Sequence, residues 1–334
     1  MHRRALLTGF LVSACATTPG EERELRALVD MRVTQGFSGA VLVARRDDVL
    51  LFDGFGEIGG RAVRRDDRFW IASAAKQFVA TAVLLLAERR RLDIDAPLST
   101  FFPEAPADKA AITLRQMLSH VSGIGQSYVS EQQPDRQSAV AAMLAEPVID
   151  TPGNEFHYSN SNTQLAVAIV EIVSGVSYQD FARDELFARA RLNDTGFAGA
   201  SANVSPAPEP PPERLTRPYW GGQGVYSSAG DLLRWYRALN SGVILNAASI
   251  ETMFRPAARI GEGDAGLGWF TTNSPQGKHV RFTRGNEDFG ANSLIYAYND
   301  DEAVIVVLTH AGDSPDDMSW SRRVHRDIEA ALAL

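Results

Sequence analysis

Apolar positions along this chain follow two periods, and the period changes twice. Near the N-terminus, "EERELRALVDMRVTQG" sets Leu25, Leu28 and Val29 on one helical face and ends near Gly36. "FSGAVLVARRDDVLLFDGFG" reads as a hairpin, two apolar strands about the turn Arg46-Asp47-Asp48. The run that begins at Ser73 predicts a helix of about four turns. Its apolar residues (Phe78, Val79, Ala82, Val83, Leu85, Leu86) occupy every face, so this helix is expected to be buried all round, with Ser73 at its start.

From about Ala111 to Ala190 the helical period takes over in "ITLRQMLSH", "RQSAVAAMLAE", "SNTQLAVAIVEIVSG" and "YQDFARDELFARAR". The proline-rich run from Ser205 to Pro218 is incompatible with regular structure and predicts a surface loop. "SAGDLLRWYRALNSG" is a further helix, with Ser228 or Asp231 near its start. Strand patterns then return in "GLGWFT", "KHVRFTR", "GANSLIYAY" and "EAVIVVLTH", closed by a helix from about Asp316 to Leu332. Strands at both ends with helices between predict one sheet built from both terminal segments, 21–110 and 220–334, with a helical domain, 111–219, inserted between them. No internal repeat is visible.

Composition narrows the function classes. With 334 residues, 45% hydrophobic and 22% charged, the chain has room for a sizeable core and no bias towards disorder. A net charge of -8 gives no basic field for a phosphate backbone, which argues against a nucleic acid partner. The first residues, "MHRRALLTGFLVSAC", read as an export leader (1–20): Arg3 and Arg4, a short apolar segment, then small residues before a cysteine. Val12-Ser13-Ala14-Cys15 resembles a bacterial lipobox, in which Cys15 would be lipidated; the paired arginines loosely resemble a twin-arginine signal. Export to the periplasm follows as an expectation, with membrane contact only through such a lipid anchor. Cys15 is the single cysteine, so a disulfide, a thiolate metal site and a cysteine nucleophile are all excluded from the folded part.

Of 33 basic residues only three are lysine: Lys76, Lys109 and Lys278. A lysine amine, unlike a guanidinium, can give up its proton once partly desolvated. Lys76 stands three residues after Ser73, and residues i and i+3 share a helix face, so the amine can reach the hydroxyl and deprotonate it. With 24 serines and three lysines, about 0.2 such pairs arise by chance, so the pair needs company.

The company is present. Ser73-Ala74-Ala75-Lys76 followed by Tyr158-Ser159-Asn160 resembles the first two signatures of the serine β-lactamase and penicillin-binding-protein superfamily, in the branch of class C β-lactamases, D-alanyl-D-alanine carboxypeptidases and related esterases. "LRQMLSHVSGI", "TPGNEFHYSNSNTQLAVAIVEIVSG" and "GQGVYSSAGDLLRW" are similar to further segments of that family, and the resemblance runs from about Phe37 to His310. It implies an α/β (α+β) fold, an antiparallel sheet flanked by helices with an inserted helical domain, and a hydrolase that works through an acyl-enzyme without cofactor or metal.

In that reading Ser73 is acylated, Lys76 and Tyr158 share the proton transfers, and Asn160 bonds the substrate carbonyl or Lys76. The third signature, usually Lys-Thr-Gly or His-x-Gly, departs here. Anchored on Gly290 and Ser293, it places Arg284 at the basic position, able to clamp a substrate carboxylate, and Asn286 at the glycine, where a side chain would narrow the site. The oxyanion hole would use the backbone N–H groups of Ser73 and Glu287. A small-molecule or peptidoglycan-like substrate is expected, an ester or D-amino-acid amide before a β-lactam, since lactam hydrolysis demands a placed deacylating water. A non-catalytic penicillin-binding or sensor-like protein is the alternative from a different class, and a true β-lactamase a narrower one. Gly221, Gly222 and Gly224 lack the strand and lysine of a phosphate loop, and His120, His157, His279 and His310 lack ligand spacing, so each is read as structural.

Overall fold

The computed structural model describes residues 19–198, 224–261 and 263–334. The lipobox with Cys15, the proline-rich run from Ser205 to Pro218, and Gly221 and Gly222 lie outside the described residues.

Eight strands form one antiparallel sheet: β1 (Gly39–Arg45), β2 (Asp48–Phe55), β3 (Ala258–Ile260), β4 (Gly263–Ala265), β5 (Phe270–Asn273), β6 (His279–Asn286), β7 (Asn292–Tyr298) and β8 (Ala303–Thr309), in the order β2-β1-β8-β7-β6-β5-β4-β3. The chain's first strand therefore pairs with its last, Gly39 opposite Thr309, as the strand pattern at the two ends predicted. The hairpin turns through Arg46, which takes a left-handed φ of 54°.

Both faces of the sheet are covered, which is why β1 and β8 are unbroken apolar runs rather than alternating ones. Ala40, Leu42, Ile295, Val306 and Leu308 turn to a large core shared with α2 (Lys76–Glu88), α5 (Asn160–Ser174) and α6 (Ala229–Asn240). Val41, Val43, Tyr298, Ile305 and Val307 turn to a second core under α1 (Pro19–Val33) and α7 (Trp320–Ala331). The remaining helices named below, α3 (Leu114–Leu118) and α4 (Arg136–Ala145), lie before α5 in the chain.

Local sequence explains where these helices begin. Thr113 and Gln116 form a reciprocal capping box at α3. Asp135 caps α4, and Ser228 caps α6 through the Asp231 N–H. α5 stops at Gly175, whose φ of 80° supplies the left-handed turn. Two expectations shift: the "GLGWFT" strand starts only at Phe270, and Ser73 is not in the first turn of α2. It sits in a 3-10 turn, Ala72–Ala75, and α2 proper begins at Lys76. No single helix among the described residues is long and apolar enough to cross a membrane.

Candidate active site

The Ser73 turn is pinned from three sides. The Ile71 N–H donates to the Val225 carbonyl at 3.0 Å, the Ser293 Oγ donates to the Ile71 carbonyl at 2.5 Å, and Gln77 Nε2 donates to the Ala74 carbonyl at 2.8 Å. Gln77 is itself held by the indole N–H of Trp235 at 2.9 Å. Ala72, immediately before the serine, is forced to a φ of 48°, a conformation that costs a non-glycine residue about 1–3 kcal/mol and survives only where its surroundings impose it.

In a 3-10 turn residues i and i+3 eclipse, so Lys76 Nζ reaches Ser73 Oγ at 3.0 Å. The Tyr158 hydroxyl donates to the same oxygen at 2.7 Å, and Lys76 Nζ lies 5.1 Å from the Tyr158 ring centroid. Ser73 is half-buried, while Lys76 is 5% exposed at the floor. Two side chains, one three and the other 85 positions along the chain from Ser73, thus converge on its oxygen.

Tyr158 is held in place by the loop before α5 and by His120. The His120 ring stacks on the Tyr158 ring with centroids 4.6 Å apart, and its Nδ1 accepts the Ser159 N–H at 3.2 Å, which leaves the ring proton on Nε2. Burial, with a contribution from the Lys76 charge, holds the His120 imidazole down at about 3, so it is neutral. His157 donates its backbone N–H to the His120 carbonyl at 2.8 Å, and its ring Nε2 lies 3.1 Å from Asp150. Asp150 also takes the N–H groups of Thr151 and Glu155 and the Asn154 amide, bracing the loop from within. Asn160, the first residue of α5, is buried; its N–H donates to Gln126 Oε1 at 2.7 Å, and its Oδ1 has no hydrogen bond among the described residues.

The third signature is corrected by strand register. Residues directly opposite in an antiparallel pair share a face. Thr283 pairs with Ile295 and Gly285 with Ser293, the face of the Ser73 turn; Arg284 pairs with Leu294 and Asn286 with Asn292, the face of α7. Arg284 borders the cavity at Ser73, yet its charge acts on Arg322 and Tyr296 on the α7 side. The register turns its side chain towards the α7 side while the residue still borders the cavity, and the Asn286 side chain, bonded to Asn292, does not narrow the site. The glycine of the signature is Gly285: a Cβ there would stand 2.3 Å from the Ile71 carbonyl and 2.7 Å from the Ser73 nitrogen. An alignment one residue out exchanges the two faces of the strand.

Glu287 is corrected by the same ladder, because its N–H donates to the Ala291 carbonyl at 2.9 Å. At the other end of the pair the Asn299 N–H donates to the His279 carbonyl, so odd-numbered residues of β6 bond to β7 and even-numbered ones turn their N–H the other way. β5 covers that side only as far as Phe282. The N–H groups of Arg284 and Asn286 thus both point past the end of β5, and Asn286 is the one that follows Gly285, the residue seated against the Ser73 turn. The sequence held a signal for this: Gly285 is the only glycine in β6, and a close approach selects glycine.

A small cavity, lined by Ser73, Lys76, His120, Tyr158 and Thr283 together with Leu118, Trp269 and Phe270, opens at the nucleophile. Gly268, at φ 69°, lets its backbone pass α2, where a Cβ would meet Ala80 at 2.8 Å and the Lys76 carbonyl at 2.9 Å.

Residues 23–328 match the sequence profile of the family described as Beta-lactamase. PbpX of Bacillus subtilis (strain 168), named as a penicillin-binding protein, is 26% identical over 258 residues, 73% of this chain and 64% of PbpX, so the chain spans less than two thirds of that relative. Among solved structures, a penicillin binding protein from Bacillus halodurans superposes with a TM-score of 0.73 at 22% identity, covering 92% of this chain and 99% of that one. The D-amino acid amidase from Ochrobactrum anthropi SV3, determined with D-phenylalanine, gives a TM-score of 0.78 at 18% identity over 94% of this chain and 99% of that one. The antiparallel sheet, the Ser73 turn and the profile match agree: the chain belongs to the beta-lactamase family, within the serine β-lactamase and penicillin-binding-protein superfamily.

Proposed function

We propose that this protein is an exported serine hydrolase that works through an acyl-enzyme on esters or D-amino-acid amides. The observation that carries the reading is the convergence of Lys76 Nζ and the Tyr158 hydroxyl on Ser73 Oγ, at 3.0 and 2.7 Å. Ser73 Oγ attacks the substrate carbonyl carbon while its proton passes to whichever of the two partners is unprotonated, the Lys76 amine in the simplest case. The carbonyl oxygen becomes an oxyanion received by the N–H groups of Ser73 and Asn286. Collapse expels the alcohol or amine, which takes a proton back through Tyr158. Water then attacks the acyl-serine, with the same pair relaying its proton. Asn160 Oδ1, a buried acceptor, suits an N–H of the acyl group or of Lys76.

The sensor-like alternative draws on the altered third signature; Gly285 supplies the glycine of that signature, and turnover of an ester is what separates the two readings. A fluorophosphonate probe is expected to label the wild type and leave Ser73→Ala unlabelled, with steady release of nitrophenol from a short-chain ester; labelling that persists in the variant would sink the proposal. Export and lipidation rest on the leader alone, and the intact mass of membrane-fractionated protein tests them at Cys15.

A further inference from the structure

The face of β6 turned away from Ser73 carries a cluster of positive charge that the acyl-enzyme chemistry does not use. Even-numbered residues of this strand look towards α7, and Phe282, paired with Tyr296, stacks on its ring with centroids 4.8 Å apart. Arg284 is the next residue on that face; it is exposed and borders the rim of the cavity. From the other side α7 lays His325 on the same tyrosine, with ring centroids 4.0 Å apart. Arg322 and Arg326 stand three residues before and one after His325, one helical turn from each other, and the charges of both reach Tyr296.

Three guanidinium groups therefore gather around one phenol. Burial raises the Tyr296 hydroxyl above its ordinary value, and the charges of Arg284, Arg322 and Arg326 all act against that rise. Arg322 registers their mutual repulsion: partial burial, then the Arg284 and Arg326 charges, hold it below the ordinary arginine value. Arg26, Arg32, Arg89, Arg115 and Arg183 shift the other way, each hydrogen-bonded to a carboxylate. The acids on and before α7 are engaged with other groups: Asp316 with Arg323, Asp327 with Arg32, and Glu329 with the Tyr298 hydroxyl. A guanidinium does not relieve such repulsion by losing its proton. A multivalent oxyanion relieves it, because the planar fork of each arginine takes two phosphate oxygens at once.

We propose that Arg284, Arg322 and Arg326 form a binding site for phosphate groups on the α7 face of the sheet, at the rim of the Ser73 cavity. Gly285, next along β6, is seated against the Ser73 turn, so a phosphate held by Arg284 lies a short linker away from an acyl group on the serine. The ligand class that uses both places together is an ester or amide carrying a phosphate at some distance from the scissile bond. In a chain of net charge -8 the cluster also supplies the local attraction that such a substrate needs. The role in substrate selection rests on the hydrolase reading above and deepens it; the anion site stands on the arginines alone.

Inorganic pyrophosphate is the probe, titrated by calorimetry into the full-length protein at low ionic strength. A dissociation constant of about 1 mM or tighter is expected for the wild type, weakened about threefold or more in Arg326→Gln and about tenfold or more in Arg322→Gln/Arg326→Gln. Arg326 is exposed, so its variant keeps the test open should the double variant fail to fold. Both variants are expected to hold kcat/KM on a short neutral nitrophenyl ester within about threefold. Wild-type binding weaker than about 10 mM, or binding that Arg326→Gln leaves unchanged, overturns the proposal. Two matched esters, 4-nitrophenyl 6-hydroxyhexanoate and its 6-phosphate, tell the source of the phosphate apart. A KM lower by about fivefold or more for the phosphorylated ester, lost in Arg326→Gln, assigns the site to the substrate, and equal KM values assign it to free phosphate. Pyrophosphate binding that the variants weaken, in a protein that neither reacts with a fluorophosphonate nor turns over an ester, would uphold the site while removing the hydrolase reading.

Discussion

Gly285 is seated against the backbone of Ser73, so close that a methyl group added to it would stand 2.7 Å from the Ser73 amide nitrogen. That contact couples a strand from the C-terminal part of the chain to a turn from the N-terminal part, and the proposed oxyanion donor, the Asn286 N–H, is next along that strand. Gly285→Ala is expected to push the strand away, lowering kcat/KM by about 10²–10³, the scale of losing one oxyanion donor. Asn286→Gly, whose lost side chain faces α7, is expected to keep kcat/KM within about threefold. Steady-state kinetics on a nitrophenyl ester checks both, and the reverse ranking would restore the other register.

Lys76, Tyr158 and Arg284 separate the proton machinery from its neighbour. Lys76→Ala is expected to cost about 10³ or more in kcat, and Tyr158→Phe about 10², the range for removing a positioned proton carrier. Arg284→Ala, directed to the α7 side, is expected to change kcat/KM less than about threefold on a neutral ester. A loss beyond about tenfold in Arg284→Ala would place its guanidinium in the site after all.

Ser293 supports the nucleophile without touching a substrate. Its hydroxyl is fully buried and donates at 2.5 Å to the Ile71 carbonyl, two residues before Ser73. Ser293→Ala leaves that carbonyl without this donor, which typically costs about 1–3 kcal/mol. Thermal unfolding is expected at lower temperature, with kcat reduced more than KM is raised. An unchanged midpoint would mean that water replaces the hydroxyl.

Three buried histidines give the fold an acid dependence. Burial holds His120, His310 and His325 at about 3, against about 6.5 in an unfolded chain. Between those values the unfolded chain binds protons that the folded one refuses, so the stability from their neutral burial is complete above about 6.5 and drains as pH falls toward about 3. Glu329, held above its usual range by burial, acts in the opposite sense near the bottom of that interval. The unfolding midpoint is expected to drop steadily from pH 7 to pH 4.5. His310→Phe is expected to flatten the slope by about one third, because both His310 nitrogens are buried without a partner among the described residues. A midpoint flat over that interval would contradict the argument.

Much of this molecule was written in local sequence. The all-round apolar run after Ser73 had to become the buried α2, the unbroken "AVIVVLT" had to become a strand covered on both faces, and the Ser73–Lys76 spacing set the amine beside the hydroxyl in either a 3-10 or an α geometry, since both bring i and i+3 together. Periods and short spacings are properties of a few neighbouring residues, so they survive without the rest of the chain. Which side of β6 faces the nucleophile is not such a property. Thr283-Arg284-Gly285-Asn286 is consistent with either face when read alone, and only the pairing of Gly285 with Ser293, together with the Ser293 bond to Ile71, selects one. A strand alternates with a period of two, so a single-residue slip inverts every side chain on it, and the contact that forbids the slip lies 222 residues away.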